Sequence, residues 1–341
     1  MQKEIYQQPG VIERFLQKES KNVEKISENI KRKNIKLIII AARGTSDRAA
    51  ILGKYLFEIK NNIPVILPSI SVFTLYKAKL DLNNTLCIGI SQSGEAKDVI
   101  EFLKISEKQG ALSLGITNNK NSTMADEIDN IIYLRAGEEK SISATKTYTS
   151  QIASLYLLSS FLSDDEKMRE ELKKIPEEIE KILKMEDLIK NNLERYRYIN
   201  QCIVLGRGLN YATSLEFALK LEETSYCVAE AFSGADFLHG PIVLVEEGFP
   251  VFIFAPSGKT YKMMLNLTKE VKEKGAEIII ISDRDEILKL GRLRIKMPAL
   301  NELYTPFSYI VAGQLLALHL SLIKGLNPDK PRYLRKIAKY Y

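Results

Sequence analysis

The sequence predicts an α/β protein made of two tandem, doubly wound parallel-sheet domains, and three observations carry that expectation. Short runs rich in Ile and Val alternate with amphipathic helical patterns, at 36–40, 86–90, 111–116, 202–205, 251–254 and 277–281. Continuous apolar strands of this kind belong to parallel sheets covered on both faces. The pattern also repeats: Gly208 follows Gly44, and Ser257 follows Ser93, each by 164 positions. A period that long means two homologous domains rather than a solenoid. Finally, 341 residues suit two domains of ordinary size, and 45% hydrophobic with 27% charged residues is a globular composition.

Residues 1–30 read as a polar helical segment interrupted near Pro9-Gly10. The strand Ile38-Ile39-Ile40 then runs through Arg43-Gly44-Thr45-Ser46 into a helix ending near Glu58, matched later by Ile203-Val204-Leu205 and Gly206-Arg207-Gly208. The next strand ends at Ser91-Gln92-Ser93-Gly94 and opens the helical pattern 97–103; its later copy is Ala255-Pro256-Ser257-Gly258. Lys108-Gln109-Gly110-Ala111 matches Glu273-Lys274-Gly275-Ala276 with one insertion. Between the copies, Met168, Leu172, Ile175, Ile179 and Ile182 keep helical spacing in a Lys- and Glu-rich stretch, which reads as a helical linker. The expected divisions are a first domain at 1–165, a linker at 166–197, a second domain at 198–325 and a tail at 326–341.

Composition narrows the partners. The net charge of +6 is mild, and basic residues crowd the C-terminal end from Lys324 to Lys339. Without a recognition helix or an aromatic–basic groove, an anionic small molecule fits that cluster better than nucleic acid. Two histidines and the scattered Cys87, Cys202 and Cys227 make no metal set, so neither metal nor cofactor is expected. Gly206-Arg207-Gly208 lacks the third glycine of a dinucleotide fingerprint. Isolated thiols and an opening without an apolar core point to the cytoplasm. The apolar stretch 309–323, broken by Gln314 and His319, falls short of the roughly 20 residues that span a bilayer, so no membrane partner is expected.

The turn Ser91-Gln92-Ser93-Gly94 offers hydroxyls and helix-start N–H groups, the donors an anion needs, and Thr45-Ser46 forms a second such turn. In the later copy, Ala255 and Pro256 replace a hydroxyl and an amide, and proline removes a donor, so that turn reads as degenerate. Glu216, Lys220 and Glu223 fall on one helical stripe, which by itself reads as an ion-pair ladder. His319 lies in an apolar helix and reads as a core residue; His239 lies in a turn, where an imidazole can meet a ligand.

Arg43-Gly44-Thr45-Ser46, Ser91-Gln92-Ser93-Gly94-Glu95 and Ala144-Thr145-Lys146-Thr147 together resemble the sugar isomerase (SIS) domain family. With the phrase 215–223, Phe237-Leu238-His239-Gly240-Pro241 and Pro331-Arg332-Tyr333-Leu334-Arg335-Lys336, the resemblance narrows to the isomerase halves of glucosamine-6-phosphate synthases and to stand-alone deaminases. It implies flavodoxin-like domains and an enzyme acting on a phosphorylated sugar or amino sugar. Thr45, Ser46, Ser91, Gln92 and Ser93 would hold the phosphate, with Gly44, Ile142 and Arg335 against the sugar. Glu223 would move the proton, with Lys220 as its electrostatic partner. His239 would open the ring from the neighbouring subunit, implying a homodimer with its active site at the subunit interface. Lys336 would form an imine or polarise the C2 substituent, on a tail that folds over the sugar as a lid.

Two departures qualify the resemblance. Ala96 stands where the family often has a hydroxyl, which removes one phosphate contact. The isomerase-type opening begins at Met1 and no cysteine precedes Cys87, so glutamine hydrolysis is not expected. Conversion of glucosamine 6-phosphate to fructose 6-phosphate and ammonia is the expected reaction. A deglycase or ketose–aldose isomerase for another 6-phosphosugar, and a non-catalytic phosphosugar sensor, stay open.

Overall fold

Two five-stranded sheets, parallel throughout, organise the computed structural model, which describes residues 1–334. The first contains β1 (Leu37–Ala42), β2 (Val65–Ile66), β3 (Thr85–Ile90), β4 (Leu112–Thr117) and β5 (Ile131–Tyr133), in the order β2-β1-β3-β4-β5. The second contains β6 (Gln201–Gly206), β7 (Val228–Ser233), β8 (Pro250–Phe254), β9 (Glu277–Ser282) and β10 (Leu293–Lys296). Its order, β10-β9-β8-β6-β7, is the same 2-1-3-4-5 winding read from the other edge. This is the flavodoxin-like order, and it reverses direction between β1 and β3 and again between β6 and β8. The central strands are apolar on both faces because helices cover both: β3 is buried at all six positions and β8 at all five.

The duplication extends to backbone angles. Gly44 and Gly208 cap the helices Thr45–Lys60 and Leu209–Ser225 with φ of 56° and 60° and the same ψ of −132°. A positive φ there admits glycine most readily.

The chain forms two compact units. One comprises Gln7–Glu139 and Ala144–Pro176 and holds the first sheet. The other comprises Met1–Tyr6, Lys140–Ser143 and Glu177–Leu334 and holds the second. The leading helical segment breaks at Gln7, between helices Gln2–Tyr6 and Gln8–Arg32. Pro9 therefore sits in the first turn of the longer helix, where its missing N–H costs nothing, rather than at the break.

In the first unit, Phe73, Val99, Phe102 and Leu103 pack against Ile39 and Cys87 of the sheet. In the second, helix Thr305–Ile323 packs on Leu209–Ser225, and Gly313 lies against the Phe217 ring, which meets Phe252 and Phe254 edge-on. The apolar stretch 309–323 is shorter than a bilayer span, but the helical segment Glu302–Ile323 that contains it is long and apolar enough to cross one, and 89% of its apolar window is buried within the protein. His319 on it is 4% exposed and bonded to Glu186 at 2.8 Å, a satisfied core residue.

Candidate active site

Ala42 of β1 and Ile90 of β3 are register partners, so the turns that begin at Arg43 and Ser91 leave the sheet side by side at a switch point. Two helices start there, Thr45–Lys60 and Lys97–Lys108, and their N-terminal dipoles favour an anion. This brings Gly44, Thr45, Ser46, Ser91, Gln92 and Ser93 together on two adjacent loops of one unit.

Local bonds set the loop's shape. The Gly94 N–H donates to Ser91 Oγ at 3.1 Å, and the Glu95 N–H to Ser93 Oγ at 3.2 Å. Gly94 has φ of 70°, and a Cβ there would lie 2.2 Å from Ser122 Oγ, so the turn admits no side chain. Gln151 Nε2 donates to Ser46 Oγ at 2.9 Å, which leaves the Ser46 hydroxyl proton for another acceptor. The Arg43 guanidinium reaches from the first loop to Asp98, 2.7 Å away in the first turn of the second loop's helix. Glu95 is drawn off by the Thr123 hydroxyl and amide.

Sequence reasoning missed Glu139. Its buried carboxylate accepts from Gln92 Nε2 at 2.9 Å, from the Thr145 N–H at 2.9 Å and from Thr147 Oγ1 at 2.5 Å. The phrase Ala144-Thr145-Lys146-Thr147 is thus the anchor of Glu139, while Lys146 Nζ donates to the Glu138 carbonyl at 2.6 Å. Two acidic residues in a polar stretch gave no hint that one of them is 4% exposed.

The acid–base candidates lie on helix Leu209–Ser225 of the other unit. Glu216, Lys220 and Glu223 form a line of charge in which Lys220 Nζ stands 3.4 Å from Glu216 Oε1 and 2.5 Å from Glu223 Oε2. Glu216 and Lys220 side chains are fully buried; Glu223 keeps 18% of its side chain exposed. Burial works against the Lys220 ammonium, but Glu216 and Glu223 outweigh it and hold its pKa above the ordinary lysine value. Ser143 Oγ donates to Glu223 Oε2 at 2.6 Å. Ile142 is the half-buried neighbour of that serine, and Glu222 points outward, exposed.

His239 is exposed at the end of the short helix Gly234–Leu238. Arg335 and Lys336, and the lid expected of them, lie outside the described residues. The last described stretch is held at Arg332, whose N–H donates to Tyr226 Oη at 2.8 Å while its guanidinium stacks on that ring. Tyr226 is the left-handed C-cap of the helix that carries Glu223.

Residues 32–160 and 196–324 each match the SIS domain. The chain belongs to the SIS domain family. It is 38% identical to glutamine–fructose-6-phosphate aminotransferase (isomerizing) of Thermococcus kodakarensis over 98% of its own length and 57% of that protein's. It thus spans a little over half the length of such relatives. The C-terminal domain of glucosamine-fructose-6-phosphate aminotransferase from Francisella tularensis superposes with a TM-score of 0.88 at 29% identity, covering 96% of this chain and 97% of that one. Glucosamine-6-phosphate deaminase from Thermotoga maritima shares the fold, with a TM-score of 0.79 at 24% identity and 98% of both chains covered.

The two SIS domains have diverged in complementary ways. Where the second carries Glu216, Lys220 and Glu223, the first has Leu52, Leu56 and Ile59 at the same offset. Where the first has its hydroxyl loop, the second has donors already occupied by the protein's own carboxylates. Asp283 Oδ1 takes the Ser257 N–H at 2.7 Å, and Asp283 also accepts from the Ser257 hydroxyl. Glu302 takes the Lys259 N–H at 2.7 Å and Thr260 Oγ1 at 2.9 Å. In the first SIS domain the position of Asp283 is the neutral Asn118, allowing for the one-residue insertion.

Proposed function

We propose that this chain is a phosphosugar isomerase of the amino-sugar kind, converting glucosamine 6-phosphate and water to fructose 6-phosphate and ammonia. The observation that carries this reading is the Glu216–Lys220–Glu223 cluster. Two carboxylates and one ammonium leave a net negative charge in a largely buried place where the sister domain has leucine and isoleucine. Burying unbalanced charge costs stability, and such clusters recur where proton chemistry needs them.

In this reading, Thr45, Ser46, Ser91, Gln92 and Ser93 bind the phosphate, with Gly44 and Ile142 near the sugar and His239 assisting ring opening. Glu223 removes the proton from C2 of the open-chain aldose, leaving an enolamine, and returns a proton to C1. The product is an imine at C2. Water adds to that carbon, the C–N bond breaks, and ammonia leaves with the ketone formed. The residues named act by holding the phosphate and moving one proton, the two tasks the chemistry requires. Lys336 and Arg335 are assigned to the substrate on the sequence phrase alone. A homodimer, with His239 reaching the neighbouring subunit, fits the exposed imidazole and, nearby in sequence, Val243 and Leu244, which are 82% and 52% exposed. Three unbridged, buried cysteines fit a reducing, cytoplasmic setting.

The test is to supply purified protein with glucosamine 6-phosphate and follow ammonia and fructose 6-phosphate together. Equal release of both supports the reading. Saturable binding without turnover points to a sensor, and turnover only of phosphorylated fructosyl amines points to a deglycase.

A further inference from the structure

We infer that Ser143 is a positioning residue for Glu223, fixing which carboxylate oxygen handles the proton. This rests on the reading of Glu223 as the base. Both donors seen on Glu223, Lys220 Nζ and Ser143 Oγ, converge on Oε2. Among the described residues Oε1 takes no hydrogen bond, so it is the oxygen left with its lone pairs available. A carboxylate whose one oxygen is held from two sides cannot rotate freely, and the other is presented in a single direction.

Ser143 is itself completely buried, so its hydroxyl is not a chance surface contact. Its segment is also held from behind. Glu4 accepts from the Ser141 N–H at 3.2 Å and from the Lys140 N–H as well. Glu4 is buried, so a carboxylate from the first helix aligns residues 140 and 141, and Ser143 follows from that alignment. Glu4, the 140–143 segment and Glu223 all belong to one compact unit. Lys220 supplies the charge and Ser143 the direction: an ammonium has no preferred angle around the carboxylate, whereas a hydroxyl on a fixed backbone does.

The experiment compares parent protein, Ser143→Ala, Ser143→Thr and Glu223→Gln for carbon-bound hydrogen exchange of glucosamine 6-phosphate in deuterated water. Removing a hydrogen bond to a charged group should lower the exchange kcat of Ser143→Ala about tenfold. The KM and the inhibition constant of inorganic phosphate should stay within about twofold, as an interaction made only through the base implies. Ser143→Thr keeps the hydroxyl and should recover most of the rate. Melting temperatures of all variants separate these effects from unfolding. An unchanged kcat in Ser143→Ala overturns the inference, as does a KM that rises in step with the loss, or failure of threonine to restore a variant that melts like the parent. If Glu223→Gln still exchanges, the base assignment fails instead, and the two failures are distinguished.

Discussion

Gln92 donates to Glu139 at 2.9 Å, and that bond ties the loop proposed to hold phosphate to a buried carboxylate sequence reasoning had passed over. Glu139 also gathers Thr145 and Thr147, so one side chain aligns three segments of the first SIS domain. Replacing Glu139 with Gln turns an amide N–H₂ toward groups that are themselves donors. The expected result is a loss of about 1–3 kcal/mol of stability, read from urea unfolding. Phosphate inhibition should weaken as the loop loses its anchor, and a variant that binds phosphate like the parent would refute that link.

Lys220 is the counter-charge for two carboxylates, and Lys220→Met leaves both without it. Breaking a buried pair by removing one partner costs about 3–5 kcal/mol, so the urea midpoint should drop sharply. Removing one of the two stranded charges with Glu216→Gln in the same chain should recover part of that loss. The pH dependence has a definite sign. The folded pKa of Lys220 lies above its unfolded value near 10.5, so this contribution is whole below about pH 10.5 and disappears as pH rises through the folded value. The gap in midpoint between parent and Lys220→Met should therefore narrow only at strongly alkaline pH.

The second SIS domain should not bind phosphate, because Asp283 and Glu302 already sit on its loop donors. Titration calorimetry with inorganic phosphate or a phosphosugar should give one site per chain. Substituting Asp283→Asn and Glu302→Gln should lower stability and leave affinity at the first loop unchanged. A second equivalent of phosphate bound to the parent protein would contradict this.

His239 tests the proposed dimer. Neither His239→Ala nor Glu223→Gln alone should turn over at the parent rate. If the histidine serves the neighbouring subunit, a refolded mixture of the two should regain activity, since some pairings assemble one intact site. No recovery in a mixture shown by mass to contain hybrid dimers would place both residues in the same subunit's site.

Much of the fold was legible because parallel central strands are apolar on both faces. β1, β3, β4, β6, β8 and β9 all announced themselves that way. The edge strands did not. β2 has two residues and β5 three, too short for any pattern, and β7 exposes Val228 and Glu230 on either side of the buried Ala229. The stripe Glu216–Lys220–Glu223 was visible from helical spacing, but spacing cannot distinguish a solvated ladder from a buried one.

What the sequence by itself determined was the duplication, the apolar central strands, the strand-to-helix turns at 43–46 and 91–94 and the divergence of their later copies. Each of these follows from local pattern and from a fixed offset along the chain. Only the tertiary structure decided that Lys220 is dry, that Asp283 and Glu302 fill the second loop, and that Glu139 and Ser143 hold the groups they hold. Those facts depend on contacts between residues 26 to 80 positions apart in several of these pairs. Burial and hydrogen-bond partnership are set by what the folded chain brings alongside a side chain, and neither is encoded in its immediate neighbours.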